Sequence, residues 1–157
     1  MLLIVWHSRT GASCALAEAA ADGAAGQARL VSAAEAVPEH FLAARGYLFA
    51  CPENLGTMSG LMKEMFDRCY YPLLGQIEGR AYASMIAAGS DGHGAQAQLD
   101  RIVTGWRLRR VAPPLIANLR AQTADEIAAP KVVPSSLLAE AAELGAAMAS
   151  GLEQRIF

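Results

Sequence analysis

The sequence predicts a three-layer α/β domain, on three observations. Short apolar runs alternate with amphipathic stretches, the first run is continuously hydrophobic, and polar glycine-containing loops follow the runs. Continuous runs suit strands buried on both faces, the condition of a parallel sheet with helices on both sides. Right-handed crossovers then place the helices, and a ligand is expected beyond the carboxyl ends of the strands.

The first strand is Leu2 to Trp6, an unbroken apolar run that ends in a polar loop. From Ser13 to about Ala21 the chain is rich in Ala, Leu and Glu, strong helix formers, and Asp22 with Gly23 supplies a stop. A short second strand is expected at Arg29 to Ser32. Pro38 then interrupts a reduced helix near His40 to Ala44, and Tyr47 to Ala50 forms the third strand. The next helix, about Ser59 to Tyr70, places Leu61, Met62, Met65, Phe66 and Cys69 along one side, while Lys63 and Asp67 stand four apart as an ion pair.

Ala81 to Ala88 is the fourth strand and Gly89 to Gly94 a loop. Leu99, Ile102, Val103 and Trp106 mark the inner stripe of another helix, with Trp106 and the methionines assigned to the core. Val111 to Ile116 reads as a fifth strand, and Pro113 with Pro114 places it at a sheet edge. After a polar, proline-containing connection, Ser135 or Ser136 caps a final helix with Leu137, Ala141, Leu144, Met148 and Leu152 on one face.

At 157 residues the chain is the size of one domain, taken as residues 1–157. Hydrophobic residues make up 54% and charged residues 18%, which excludes a disordered chain. The apolar opening Met1 to Trp6 falls far short of the roughly 20 residues of a membrane span and lacks a basic leader, so a cytoplasmic protein with no membrane span is expected. Cys14, Cys51 and Cys69 show neither disulfide nor metal-ligand spacing, and no metal is expected. A net charge of −2 offers no broad attraction to nucleic acid, and Arg107, Arg109 and Arg110 read as a solvated strand entrance.

Three loops carry the chemistry. The first, His7-Ser8-Arg9-Thr10-Gly11-Ala12-Ser13, combines hydroxyls, a glycine for close backbone approach and a helix directly behind. Amide groups in such a turn point at an anion, the helix N-terminus adds partial positive charge, and Ser8, Thr10 and Ser13 can each donate a hydroxyl hydrogen bond. GxxxxGK[ST] and GxGxxG are both absent, which favours a terminal monophosphate over a hydrolysed nucleotide or a dinucleotide. Taken alone, the same loop is equally an ordinary Ser/Gly turn capping a helix. Cys14, in the helix behind it, reads as a small buried hydrophobe rather than a nucleophile.

The second loop follows the third strand as Cys51-Pro52-Glu53-Asn54-Leu55-Gly56-Thr57-Met58-Ser59-Gly60, leading into Lys63-Glu64-Met65-Phe66-Asp67-Arg68. The third follows the fourth strand as Gly89-Ser90-Asp91-Gly92-His93-Gly94. In order and spacing the three resemble the flavin loops of the flavodoxin and NAD(P)H-dependent FMN or quinone reductase superfamily over nearly the whole chain. The resemblance implies a flavodoxin-like three-layer sandwich with a five-stranded parallel sheet of order 2-1-3-4-5. It implies FMN as cofactor, with its phosphate on Ser8, Arg9, Thr10, Gly11, Ala12 and Ser13. Pro52, Glu53, Asn54, Leu55, Gly56 and Thr57 would line one face and edge of the isoalloxazine, and Gly89, Ser90, Asp91 and Gly92 its pyrimidine side. Family members often stack an aromatic residue on the ring; this chain offers Asn54, Leu55 and His93 there.

The resemblance leads to a flavoprotein in which NAD(P)H reduces FMN and the flavin reduces a quinone, free flavin or similar small-molecule electron acceptor. No side-chain nucleophile or base is assigned, because the cofactor carries the chemistry. His93 is a candidate for guiding a substrate proton, or is simply solvent-exposed. The alternative is a flavodoxin-type single-electron carrier docking on a redox protein partner, against which the small net charge speaks. A signalling domain of this topology would need acidic residues after the first strand and an aspartate ending the third, where this chain has His7-Ser8 and Cys51-Pro52. An interaction module without flavin is a further alternative. A homo-oligomer is expected from the resemblance.

Overall fold

The computed structural model describes residues 1–157. Strand β1 (Leu2–Trp6) is flanked by β2 (Ala28–Ser32) and β3 (Gly46–Asn54), both parallel to it, in the register Ile4 opposite Leu30 and Leu48. A two-residue strand, β4 (Thr57–Met58), folds back antiparallel on the end of β3. β5 (Ala81–Ala88) lies parallel on the other side of β3. Its outer edge is shared by β6 (Arg109–Arg110) at its start and β7 (Leu115–Asn118) at its end. The parallel positions run in the predicted order, with the edge position divided in two.

The division has a local cause. Pro113 and Pro114 lack amide donors, so the expected strand Val111 to Ile116 breaks there and resumes at Leu115. Pairing on β3 also continues past Ala50: Pro52 stands opposite Ala87, and Glu53 and Asn54 form the hairpin with β4.

Helices α1 (Ala12–Gly23) and α6 (Ser135–Glu153) cover one face, packing on Leu2, Ile4, Leu48, Ala83 and Met85. Helices α2 (Pro38–Ala43), α3 (Gly60–Leu73) and α4 (His93–Gly105) cover the other, over Leu3, Val5, Tyr47, Phe49 and Ile86. Leu2 and Ile4 go to one core and Leu3 and Val5 to the other, as the two-residue strand period requires. The second core is aromatic, with Trp106 edge-on to Phe41 and Phe66 at centroid separations of 5.3 and 5.1 Å.

Several local expectations are corrected. Pro38 does not interrupt α2 but opens it, at the position where a missing N–H costs no helix bond. Neither Ser135 nor Ser136 caps α6 through its side chain; Pro134 precedes the first turn. Leu61, assigned to the buried side of α3, is about half exposed, while Met62, Met65, Phe66 and Cys69 are buried. A short helix, α5 (Ala124–Ala128), stands within the polar, proline-containing connection, where no helix was assigned. The expected pair forms: Lys63 Nζ lies 2.6 Å from Asp67. Arg107 and Arg110 pair with Glu78 and Asp100 at the sheet edge.

Helices α1 and α6 meet through small residues. A Cβ at Gly145 would run into the Ala20 carbonyl, and one at Gly23 into that of Ala142. This close packing holds α1, and the loop in front of it, against the sheet.

Candidate functional site

The first loop is shaped by Gly11, whose φ of 97° is unfavourable for residues with a Cβ. The Gly11 amide donates to Ser8 Oγ at 3.0 Å, which turns the chain into α1 at Ala12. The amide groups of the first helical turn have no intrahelical acceptor. Ser13, 1% exposed, has a buried hydroxyl with no hydrogen-bond partner. A buried polar atom without a partner is costly, so this hydroxyl is poised for an acceptor that enters the loop. Behind the loop, His7 Nδ1 sits 2.7 Å from Ser59 Oγ and ties the end of β1 to the start of α3. Burial, and then the neighbouring Arg9 charge, hold the His7 imidazole below its usual pKa.

The second and third loops are joined by one carboxylate. Glu53 Oε1 accepts from the Gly92 amide and Oε2 from the Ala95 amide, both at 2.9 Å, so the side chain caps α4. Thr57 Oγ1 donates back to the Asn54 carbonyl at 3.1 Å, and the Met58 amide donates to Gln98 Oε1 at 2.8 Å. Leu55, at a φ of 52°, is fully exposed at the tip. Asp91 Oδ1 is 2.7 Å from His93 Nδ1, with both side chains in solvent.

A fourth wall was not legible as a loop of the first three. Residues 119–133 form a strap between β7 and α6. The Leu119 amide donates to the Ala88 carbonyl at 2.8 Å, and Asn118 Nδ2 to the Ser90 carbonyl at 2.6 Å. The Thr123 hydroxyl caps α5, and Glu126 Oε2 accepts from the Thr123 amide. The Lys131 amide donates to the Thr10 carbonyl at 2.7 Å, closing the strap onto the first loop. The Thr123-x-x-Glu126 spacing was the available signal for α5.

These segments enclose a cavity of about 410 Å³ at the carboxyl end of the sheet. Of the predicted residues, Ser8, Arg9, Thr10, Ala12, Ser13, Pro52, Glu53, Asn54 and Gly89 line it. Ala87, Ala88, Leu119, Ala121, Ile127, Ala128 and Lys131 complete the wall and were not foreseen. Gly11, Leu55, Gly56, Thr57, Ser90, Asp91 and Gly92 belong to the same three loops without lining the cavity. Gly89 backs closely onto the strap: a Cβ there would lie 2.8 Å from the Ala121 carbonyl.

The residues fit FMN. Hydroxyls and unpaired amides at the α1 end suit a phosphate, small and apolar walls suit a planar ring, and the volume falls in the range of small-molecule sites. No group of His, Cys, Asp or Glu side chains is placed to hold a metal ion. Cys14, read as buried, is partly exposed with Sγ 3.5 Å from Glu18 Oε1; partial burial and then that carboxylate raise its pKa. No helix is long and apolar enough to cross a membrane.

The family model described as NADPH-dependent FMN reductase matches residues 9–122. A flavodoxin of Aquifex aeolicus (strain VF5) is 32% identical over 107 residues, covering 66% of this chain and 58% of that relative. The flavodoxin, WrbA-like protein of Agrobacterium tumefaciens superposes with a TM-score of 0.79 at 19% identity, over 98% of this chain and 97% of that one. A flavodoxin from the domain Archaea gives 0.75 at 16% identity, over 97% and 98% of the two chains. At such identities the structural likeness bears on the fold alone, which is flavodoxin-like.

Proposed function

Because the chain belongs to the NADPH-dependent FMN reductase family, we propose that its cavity holds FMN and that it is an NAD(P)H-dependent oxidoreductase reducing a quinone, a flavin or a similar small acceptor. The observation that carries the reading is the buried, unpartnered Ser13 hydroxyl at the start of α1, facing an anion-binding turn. When bound, FMN supplies the capacity to accept a hydride and release electrons singly or in pairs.

The chain's own residues bind and orient. Ser8, Thr10, Ser13 and the first amides of α1 hold the phosphate. Pro52, Glu53 and Asn54 form one wall and Gly89 another, with Leu55, Gly56, Thr57, Ser90, Asp91 and Gly92 completing the two flavin loops. Leu119, Ala121 and Ile127 of the strap supply an apolar part of the wall. Homo-oligomerisation is part of the proposal, supported by exposed Leu55, Ile127 and Val132 on the segments that surround the cavity. A cytoplasmic setting accords with three free cysteines.

The test is anaerobic absorbance of FMN-reconstituted protein on adding NADH or NADPH, then a quinone. Bleaching of the flavin band and its return support the reductase. The flavodoxin relative, similar over 66% of this chain, favours one second reading, a single-electron carrier. That reading takes over if neither nucleotide bleaches bound FMN while dithionite yields a long-lived one-electron state.

A further inference from the structure

We infer that Lys131 makes the cavity selective for a phosphorylated flavin, acting from the strap rather than from the three flavin loops; the inference rests on the flavin reading above. The Lys131 backbone is fixed against the first loop by its amide bond to the Thr10 carbonyl, at 2.7 Å. Its side chain lines the same cavity as Ser8, Thr10 and Ser13. Its ammonium is turned to the C-terminal end of α5, so it acts on the cavity as a fixed nearby positive charge rather than as a direct donor.

That ammonium has carbonyl acceptors but no counter-ion. Nζ donates to the carbonyls of Glu126, Ile127 and Ala129 at 2.6, 2.9 and 2.6 Å, and no carboxylate pairs with it. It rests at the C-terminal end of α5, where a cation meets peptide dipoles but no counter-ion. Arg9, the other cation of the lining, is exposed, whereas Lys131 is half-buried and so less screened by water and salt.

A half-buried cation, a buried hydroxyl without a partner and a free helical turn thus belong to one cavity, whose strap is tied to the first loop at Thr10. Their common complement is a dianion, and in a flavin only the terminal phosphate supplies it. Riboflavin offers the same ring and ribityl chain and leaves the Lys131 charge unmatched. Family resemblance did not point to this residue: it lies beyond the matched segment, residues 9–122.

The experiment titrates flavin-free protein with FMN and, separately, with riboflavin, following quenching of flavin fluorescence at two salt concentrations. Lys131→Gln is expected to weaken FMN binding about tenfold, in keeping with loss of one nearby, partly desolvated positive charge. It should leave riboflavin affinity within about twofold of wild type and flatten the salt dependence of FMN binding. Lys131→Arg should restore the FMN preference. Equal loss of both flavins would show a purely structural role for the strap and overturn the inference, as would unchanged FMN affinity; both leave the flavin reading standing. A wild-type protein that binds neither flavin removes the reading and the inference together.

Discussion

Replacing Glu53 separates the architecture of the site from its ligand. Its carboxylate accepts two amide hydrogen bonds at 2.9 Å, from Gly92 and Ala95, at the N-terminus of a 13-residue helix. Capping side chains contribute about 0.5–2 kcal/mol, and a negative charge on a helix N-terminus adds about 0.3–1 kcal/mol. Water can reach the freed amides of this half-exposed site, so Glu53→Ala should cost about 2 kcal/mol rather than the sum of two buried charged bonds. For a chain of this length that is a Tm decrease of roughly 4–8 °C. Glu53→Gln keeps one acceptor oxygen and loses the charge, and should fall near half that loss. Differential scanning calorimetry of the flavin-free protein reads both, and amide exchange at Gly92 and Ala95 should quicken in the alanine variant. If Glu53→Ala melts within a degree of wild type with protection unchanged, the carboxylate does not join the two loops and the reasoning fails.

Other perturbations probe the rest of the frame. The folded pKa of His7 lies below its ordinary 6.5, so the unfolded chain binds the extra proton; the resulting stability is present above pH 6.5 and is lost as pH falls through the folded value. Urea midpoints of wild type should therefore drop from pH 7 to pH 5.5 more steeply than those of His7→Asn, whose amide can still meet Ser59; parallel curves would remove His7 from the account. Gly145→Ala pushes a Cβ into the Ala20 carbonyl and should destabilise by about 1–3 kcal/mol through separation of α1 from α6. An unchanged denaturation midpoint in that variant would contradict the packing. Burial pushes the Cys51 thiol up to about 12 and also raises Cys69, so native protein at pH 8 should label with a disulfide reagent at Cys14 first. Peptide mapping that finds Cys51 modified before unfolding would refute it.

The strands were legible because their signal is strong and local: Leu2–Trp6 is apolar throughout and Ala81–Ala88 at all but Ser84, which few structures other than a doubly covered strand accommodate. The first loop was legible for a related reason, since hydroxyls, a glycine and a helix start are contiguous there. What escaped depends on contacts distant in sequence. Glu53 was read as a flavin-loop residue because it follows the predicted third strand; it also caps α4, through partners 39 and 42 residues away that only the fold brings near. Lys131 stood in a polar, proline-containing stretch with no periodicity, and its place beside Thr10 follows from the return of the strap across the sheet. Pro52 was read as part of the loop after the third strand, although it stands in register opposite Ala87.

The same long-range bonds bear on how the site can hold a ligand without an aromatic platform. His7 joins the first loop to the start of α3, and Glu53 joins the second loop to the third. Asn118 joins the third loop to the strap, and the Lys131 amide returns the strap to the first loop. The cavity is therefore bounded by a nearly closed circuit of hydrogen bonds among the chain's own residues. Ordering four separate loops on binding would otherwise oppose association, at about 0.5–1.5 kcal/mol for each immobilised side chain. A wall held by the chain's own bonds removes much of that opposition, and Pro52 and Asn54 need only close packing, not the added strength of a stacked ring. By the same argument, breaking one link should weaken flavin binding even at a residue that never touches the flavin, and breaking two should cost less than the sum, because the second acts on a circuit already open.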